Sequence, residues 1–133
     1  MNVTTLLSPR AAQRPPSTNE DLNCGHQGTL SWAVRRQEKL ARITLHGELD
    51  IATAPALGAA VRPLAEAGGA HLVIDLAGLR FCDCAGLTLF VRWQSWTALT
   101  GGSLRLVAPP RIVRRLLTLT GTLDLLAPAD RGR

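Results

Sequence analysis

Several features that mark other classes of protein are missing from this chain of 133 residues. No uninterrupted apolar run approaches the roughly 20 residues that a membrane-spanning helix requires. The N-terminal segment MNVTTLLSPR lacks the basic start and long apolar centre of a secretory signal. The 3 cysteines are an odd number, which argues against the disulfide framework of a small secreted protein. We therefore expect a cytoplasmic protein that does not enter the membrane.

Signatures of nucleic-acid binding are scarce as well. Aromatic residues make up only 4% of the chain, and no extended basic run or paired Cys and His ligands are present. The net charge of +5 owes much to arginines near the C-terminus, including Arg111, Arg114 and Arg115. We interpret these arginines as a solvated surface. Nucleic-acid binding through them is the alternative.

Motifs of catalysis are also absent. The chain has no GxSxG, no phosphate-binding glycine loop and no HExxH. The side chains that could serve catalysis are Cys84 with His46 or His71, and Asp50 with Asp83, and none of them stands in such a motif. The sequence therefore predicts a protein that is not an enzyme and needs no cofactor.

The composition is that of a folded domain between two short ends. Hydrophobic residues make up 46% and charged residues 19%, which is ordinary for a globular protein. Residues 1–27 are rich in Pro, Ser, Thr, Asn and Gln without hydrophobic periodicity, and they predict a flexible leader. Residues 28–127 form the predicted domain, and residues 128–133 are a short tail.

The periodicity of the domain alternates between strands and helices. TLSWAVRR and LARITLHG predict two strands that pair as a hairpin through the turn RQEK. Thr53 is expected to cap a helix with Pro55 at an early position, and HLVIDL then predicts a buried strand. AGLTLFVRWQSWTALTGG predicts a helix, SLRLVA a strand, and PPRIVRRLLTLTG a last helix whose Ile112, Leu116 and Leu119 face inward. This order predicts an α/β fold in which a hairpin and βαβ units form one mixed sheet.

The segment FCDCAGL, residues 81–87, links the buried strand to the following helix. Asp83 or Cys84 is expected at the helix cap, where free amide groups and the helix dipole favour negative charge. A low thiol pKa there would make Cys84 a redox sensor, although the neighbouring carboxylate opposes it. Metal binding would use Cys24, His26, Cys82 and Cys84, but one residue between paired ligands is poor spacing, so we predict no metal.

Three segments together resemble a known family. HGELDIATAP, LVIDLAGLRFCDCAGLTLF and VRRLLTLTGTLDLL resemble bacterial anti-sigma factor antagonists built on the STAS domain, and the similarity covers residues 28–127. The resemblance implies the STAS fold and a non-enzymatic protein that binds a serine-kinase-type anti-sigma factor. By this partner switching it would free a sigma factor and so regulate transcription.

The resemblance also implies a regulatory position that this chain does not keep. In such families the residue directly after the Asp of the segment is phosphorylated, which here is Cys84, followed by Ala85. Neither side chain accepts a phosphate as serine does, so the added negative charge of the off state does not carry over. The chain is then either constitutively competent or controlled in another way.

The predicted partner-binding surface combines two loops and one helix face. The resemblance supports the loop at Glu48, Asp50 and Thr53 and the loop at Asp83 and Cys84. Helical spacing places Leu89, Trp93 and Trp96 opposite the stripe that contains Phe90, which suggests exposed interface anchors. The alternative is that they pack under a neighbouring helix. The full predicted set is Glu48, Asp50, Thr53, Asp83, Cys84, Ala85, Gly86, Leu89, Trp93 and Trp96. The sequence leaves the oligomeric state open.

Overall fold

The computed structural model describes residues 20–127 and shows a five-stranded sheet with helices packed on it. The strands are Glu20–Gln27 (β1), Leu30–Gln37 (β2), Leu40–Leu49 (β3), His71–Cys82 (β4) and Ser103–Val107 (β5). The helices are Ala54–Ala65 (α1), Cys84–Leu99 (α2), Arg111–Thr120 (α3) and Leu123–Leu126 (α4). The strands lie in the order β1-β2-β3-β4-β5.

The sheet is mixed, as predicted. Strands β1, β2 and β3 pair antiparallel, whereas β3 with β4 and β4 with β5 pair parallel. The expected hairpin joins β2 to β3 through a tight turn at Glu38 and Lys39. The parallel strands are connected through α1 and α2, since a parallel pair needs a crossover. The α/β fold class is therefore confirmed.

One face of the sheet carries the core. Along β3, Ala41, Ile43 and Leu45 are buried, while Arg42 and His46 on the other face are exposed. This alternation follows from the two-residue period of a strand. The buried residues of the sheet and of all four described helices belong to a single cluster.

Strand β1 corrects the predicted leader. Residues 20–27, expected to be flexible, pair with β2 along their whole length, from Glu20 opposite Gln37 to Gln27 opposite Leu30. The strand lacks hydrophobic periodicity because it lies at the sheet edge, where Leu22 and Cys24 are exposed. Backbone pairing holds it, and composition does not report that. The rest of the predicted leader, residues 1–19, and the tail lie outside the described residues.

Helix α2 is buried on two sides, which corrects the prediction of an exposed tryptophan face. Leu89 is 9% exposed and Trp93 only 1%, since α1 covers this side of the helix. Phe90 on the sheet side is also fully buried, and its ring centroid lies 5.9 Å from that of Trp93. Trp96 alone of the three predicted anchors remains half-exposed. The packing alternative therefore holds for Leu89 and Trp93.

Helix α3 turns a partly different stripe inward from the one expected: of Ile112, Leu116 and Leu119, only Leu116 packs against the core, where it is partly buried. Val113 and Leu117 are buried, whereas Ile112 is 53% and Leu119 76% exposed. The sequence RIVRRLLTLT contains two overlapping apolar stripes, so the period alone could not select the inward one. The helix ends as predicted at Gly121, which has a left-handed backbone with φ of 74°.

Candidate partner-binding surface

The FCDCAGL segment lies where β4 ends and α2 begins. Phe81 and Cys82 close the strand, Asp83 is the N-cap, and Cys84 is the first helical residue. The Asp83 carboxylate accepts hydrogen bonds from the amides of Ala85 at 2.9 Å and Gly86 at 3.3 Å. The predicted cap is thus Asp83, and it satisfies amide groups that the helix itself leaves unpaired.

The two predicted loops meet at one edge of the sheet. Leu49, at the end of β3, pairs with Cys82 at the end of β4, and the Asp83 amide donates to the Leu49 carbonyl oxygen at 3.2 Å. Gly86 lies directly beneath: a Cβ there would lie 2.7 Å from Leu49 Cδ2 and 2.8 Å from Cys82 Sγ. The site therefore needs glycine for packing, and buried Gly86 offers a partner little surface.

The loop after β3 is held by its own side chains. Asp50 Oδ1 accepts from the amides of Ala52 and Thr53, each at 3.0 Å. The Thr53 hydroxyl donates to the Glu48 carbonyl oxygen at 2.9 Å and accepts from the Asp50 amide at 2.9 Å. Thr53 is the N-cap of α1, but its side chain makes no cap hydrogen bond. At 4% exposure Thr53 shapes the loop from inside, which corrects its predicted role as a contact residue.

The two cysteines of the segment differ in environment. Cys82 is buried, and burial, with further contributions from Asp83 and Cys84, raises its thiol pKa to about 12. The Cys82 thiol therefore stays protonated at neutral pH and is a poor nucleophile. Cys84 is exposed at the position that the family resemblance assigns to the phosphorylated residue.

Two apolar side chains that the sequence reasoning did not select are exposed beside the acidic groups. Ile51 is 78% and Phe81 41% exposed, and Phe81 lies opposite Glu48 in the β3–β4 pairing. We call the exposed set the loop surface, and it consists of Glu48, Asp50, Ile51, Phe81, Asp83 and Cys84. The sequence did contain a signal for their exposure. Each is an apolar residue at the end of a strand, next to or within a loop, where polar residues are expected.

Acidic residues adjoin these apolar side chains: Asp50 precedes Ile51 in the chain, and Glu48 lies opposite Phe81 in the strand pair. Glu48, Asp50 and Asp83 are all half-exposed. The Asp50 carboxylate accepts amide hydrogen bonds within its own loop, and the Asp83 carboxylate caps α2. Glu48 lies 3.9 Å from Arg80, a long ion pair whose side chains are 43% and 67% exposed. Exposed pairs of this kind contribute little stability, so Glu48 is available to another cation.

The structure does not assemble the alternative sites. Cys24 and His26 lie on β1, which two intervening strands, β2 and β3, separate from the end of β4 where Cys82 and Cys84 lie. Within residues 20–127, no three His, Cys, Asp or Glu side chains are arranged to hold a metal ion.

The histidines considered for catalysis have other neighbours than Cys84. His71 begins β4, at the opposite end of the strand, and its Nδ1 lies 2.9 Å from Ser103 Oγ. The ring of His46 lies against Gly78, where a side chain would overlap it. Neither histidine is placed to activate the thiol of Cys84.

The remaining charged groups lie on the solvent-exposed surface, away from the FCDCAGL segment. Arg111, Arg114 and Arg115 are exposed on α3. Asp75, in the middle of β4, accepts a hydrogen bond from Arg42 at 3.0 Å on the exposed sheet face. In the described part of the chain, no helix has both the length and the apolar character to cross a membrane.

The family of this chain follows from comparison with known proteins. The family model described as the Mlab, STAS domain matches residues 32–127. The chain therefore belongs to the STAS domain family, and the resemblance noted in its sequence is confirmed.

Within this family the chain is similar to anti-sigma factor antagonists. It is 34% identical over 93 residues to the anti-sigma-B factor antagonist of Bacillus subtilis (strain 168), covering 70% of this chain and 84% of that protein. An anti-sigma factor antagonist from Mycobacterium paratuberculosis has a crystal structure that matches with a TM-score of 0.64 and 28% identity, over 73% of this chain and 82% of that one. The Bacillus cell fate determinant SpoIIAA, solved in its phosphorylated form, matches with a TM-score of 0.54 over 85% of this chain and 100% of that one. At 18% identity, SpoIIAA shows a shared fold alone.

Proposed function

We propose that this protein is a cytoplasmic, non-enzymatic antagonist that binds a kinase-type anti-sigma factor and thereby frees a sigma factor for transcription. The observation that carries the proposal is the loop surface, where exposed Ile51 and Phe81 lie among acidic groups. The relatives named as anti-sigma factor antagonists support the class of partner.

The loop surface has the physical properties of a docking site. Its loops are fixed by the hydrogen bonds of Asp50, Thr53 and Asp83, so little conformational entropy is lost when a partner binds. Apolar anchors with a polar surround are typical of the residues that dominate binding energy. Glu48 adds a negative group for a cationic side chain of the partner.

Cys84 is the proposed equivalent of the phosphorylated serine. Its exposed side chain begins α2 beside Asp83, so a group attached there would lie within the loop surface. A thiol does not accept phosphate as a serine hydroxyl does, so we propose that this copy is constitutively competent to bind. The absence of added charge keeps the surface in its binding state.

The test measures binding of the full chain to each purified kinase-type anti-sigma factor encoded in the same genome. Calorimetry should find one partner with a Kd of about 1 μM or tighter. Cys84→Asp, which places a carboxylate at the phosphorylation position, should weaken that binding at least about tenfold, as a charge change inside an interface does. Cys84→Ser should bind like the wild type and become phosphorylated when ATP is added.

Three results would count against the proposal. Lack of binding to every such anti-sigma factor removes the proposed function. Equal affinity of Cys84→Asp and wild type removes Cys84 from the interface. Cys84→Ser that binds but takes up no phosphate from the bound partner contradicts the kinase-type assignment.

A further inference from the structure

A groove between α1 and α2 is not used by the loop surface. It has a volume of about 270 Å³. Gly58, Leu89 and Trp93 form its apolar floor, and Arg62, Arg92 and Trp96 stand at its rim. Pro55 and Ala59 complete the lining, and we call these eight residues the helical groove.

A glycine brings the two helices close enough to form this groove. A Cβ on Gly58 would lie 3.1 Å from Leu89 Cδ2, so the helix surfaces already touch there. Neighbouring Ala59 is also small and lines the groove. The two small residues leave an open channel above Leu89 and Trp93, and a larger residue at either position would fill it.

The rim of the helical groove is basic. The Arg62 guanidinium lies 5.6 Å from the centre of the Trp96 ring and bonds Glu66 at 2.8 Å, so it is held over the aromatic face. Arg92, on the other wall, is exposed and makes no hydrogen bond or ion pair within residues 20–127. An unpaired guanidinium beside an apolar floor is suited to a carboxylate attached to an apolar segment.

The helical groove is continuous with the loop surface. Helix α1 starts directly after the Asp50 loop, and α2 starts directly after Asp83, so both helices leave from the same sheet edge. The groove begins at Pro55, in the first turn of α1, and extends to Trp96. A partner that covers Ile51, in the loop directly before α1, can therefore extend one segment along the groove. The charges change from acidic on the loop surface to basic at the groove.

We propose that the helical groove binds an acidic segment of the same anti-sigma factor, with an apolar side chain against half-exposed Trp96 and a carboxylate at Arg92. This inference rests on the proposed function and adds a second contact of opposite charge. The two contacts together would fix the orientation of the partner on the domain. In the reversed orientation the partner's acidic segment would face the acidic loop surface, and like charges would repel. A second copy of this chain carries a net charge of +5, which opposes association of whole molecules, and the dimer measurement below tests this occupant directly.

The test compares two charge reversals in the full chain against the anti-sigma factor that binds the wild type. Arg92→Glu should weaken binding at least about tenfold, and the weakening should be smaller at high salt, which screens the charge. Arg105→Glu is the matched control, because Arg105 is equally exposed and unpaired within the described residues but lies on β5. It should stay within about twofold of wild type, as expected for a charge outside the interface. Ala59→Glu, which adds an acid to the groove without removing an arginine, should also weaken binding.

The outcomes separate this inference from the proposed function. If wild type binds and Arg92→Glu behaves like Arg105→Glu, the groove is not a contact, and the function stands. If wild type binds no anti-sigma factor, the function itself fails and this inference falls with it. If the chain alone forms a dimer that Arg92→Glu disrupts, while anti-sigma binding is unchanged, the occupant is a second copy and the inference is wrong. Circular dichroism of each variant checks that the fold is intact.

Discussion

Two groups of apolar residues near the ends of β3 and β4 differ in exposure to solvent. Ile51 and Phe81, beside the loops, are 78% and 41% exposed, whereas Leu89 and Trp93 on α2 are 9% and 1% exposed. The larger and more interface-like tryptophan is the one that is buried. The exposure of an apolar residue therefore depends on whether another helix or strand covers its position, and the type of side chain does not determine it.

The largest effect on stability is expected when the buried Trp93 side chain is removed. Trp93→Ala deletes a buried ring that packs on Phe90 and under α1, so the free energy of unfolding should fall by about 3–5 kcal/mol. Denaturant unfolding followed by circular dichroism measures this loss. Trp96→Ala, on the same helix but half-exposed, is the matched variant and should lose much less. Equal losses would mean that Trp93 is not a core residue.

The reverse effect is expected at the loop surface. Ile51→Ala and Phe81→Ala should each weaken binding to the anti-sigma factor about tenfold, because each removes an exposed anchor, while the free energy of unfolding changes little. Ile112→Ala is the matched control, since Ile112 is 53% exposed on α3, away from the loops. Calorimetry compares the three variants. The same affinity for Ile51→Ala and Ile112→Ala would exclude Ile51 as an anchor.

Buried Cys82 and exposed Cys84 predict a dependence of stability on pH. An unfolded thiol releases its proton near pH 9.0, but folded Cys82 keeps it until about pH 12. Its stabilising contribution is therefore complete below pH 9 and is lost as pH rises from 9 to 12. The loss is about 1 kcal/mol at pH 10. Unfolding curves at pH 7 and pH 10 measure it.

Variants at the two cysteines separate this effect from other alkaline titrations. Cys82→Ala should remove this part of the alkaline loss of stability, and Cys84→Ala should retain it because Cys84 is exposed. Thiol labelling at pH 7 gives a second readout, in which native Cys82 reacts far more slowly than Cys24 and Cys84. Rapid labelling of Cys82 in the native protein would contradict its burial.

Turns, helix caps and helix ends could be predicted from the sequence, because each depends on residues that are neighbours in the chain. The hairpin at Glu38 and Lys39, the cap at Asp83 and the helix end at Gly121 all depend on contacts within a few residues. The loop positions of Asp50 and Asp83 followed from the family resemblance, and the structure brings their strands together. The predicted contact roles of Thr53 and Gly86 were wrong, because both side-chain positions are filled by the packing beneath the loops.

The misses share one physical cause. Strand β1 is held by hydrogen bonds to β2, Trp93 is covered by α1, and α3 turns Val113 inward in place of Ile112. Each depends on an element distant in sequence, and periodicity reports only the helix or strand on which a residue stands. Ile51 and Phe81 were not selected from the sequence, and their exposure reflects that no other element covers them.

The sequence by itself determined the mixed α/β class, the order of strands and helices from β2 to α3, and a helix cap at Asp83 or Cys84. These depend on residue type and short-range hydrogen bonding, which the chain carries locally. Only the tertiary structure decided which apolar side chains stay exposed, which cysteine is buried, and that exposed arginines line a groove between α1 and α2. Those properties arise from elements packing against one another, because burial is set by the neighbour that excludes water.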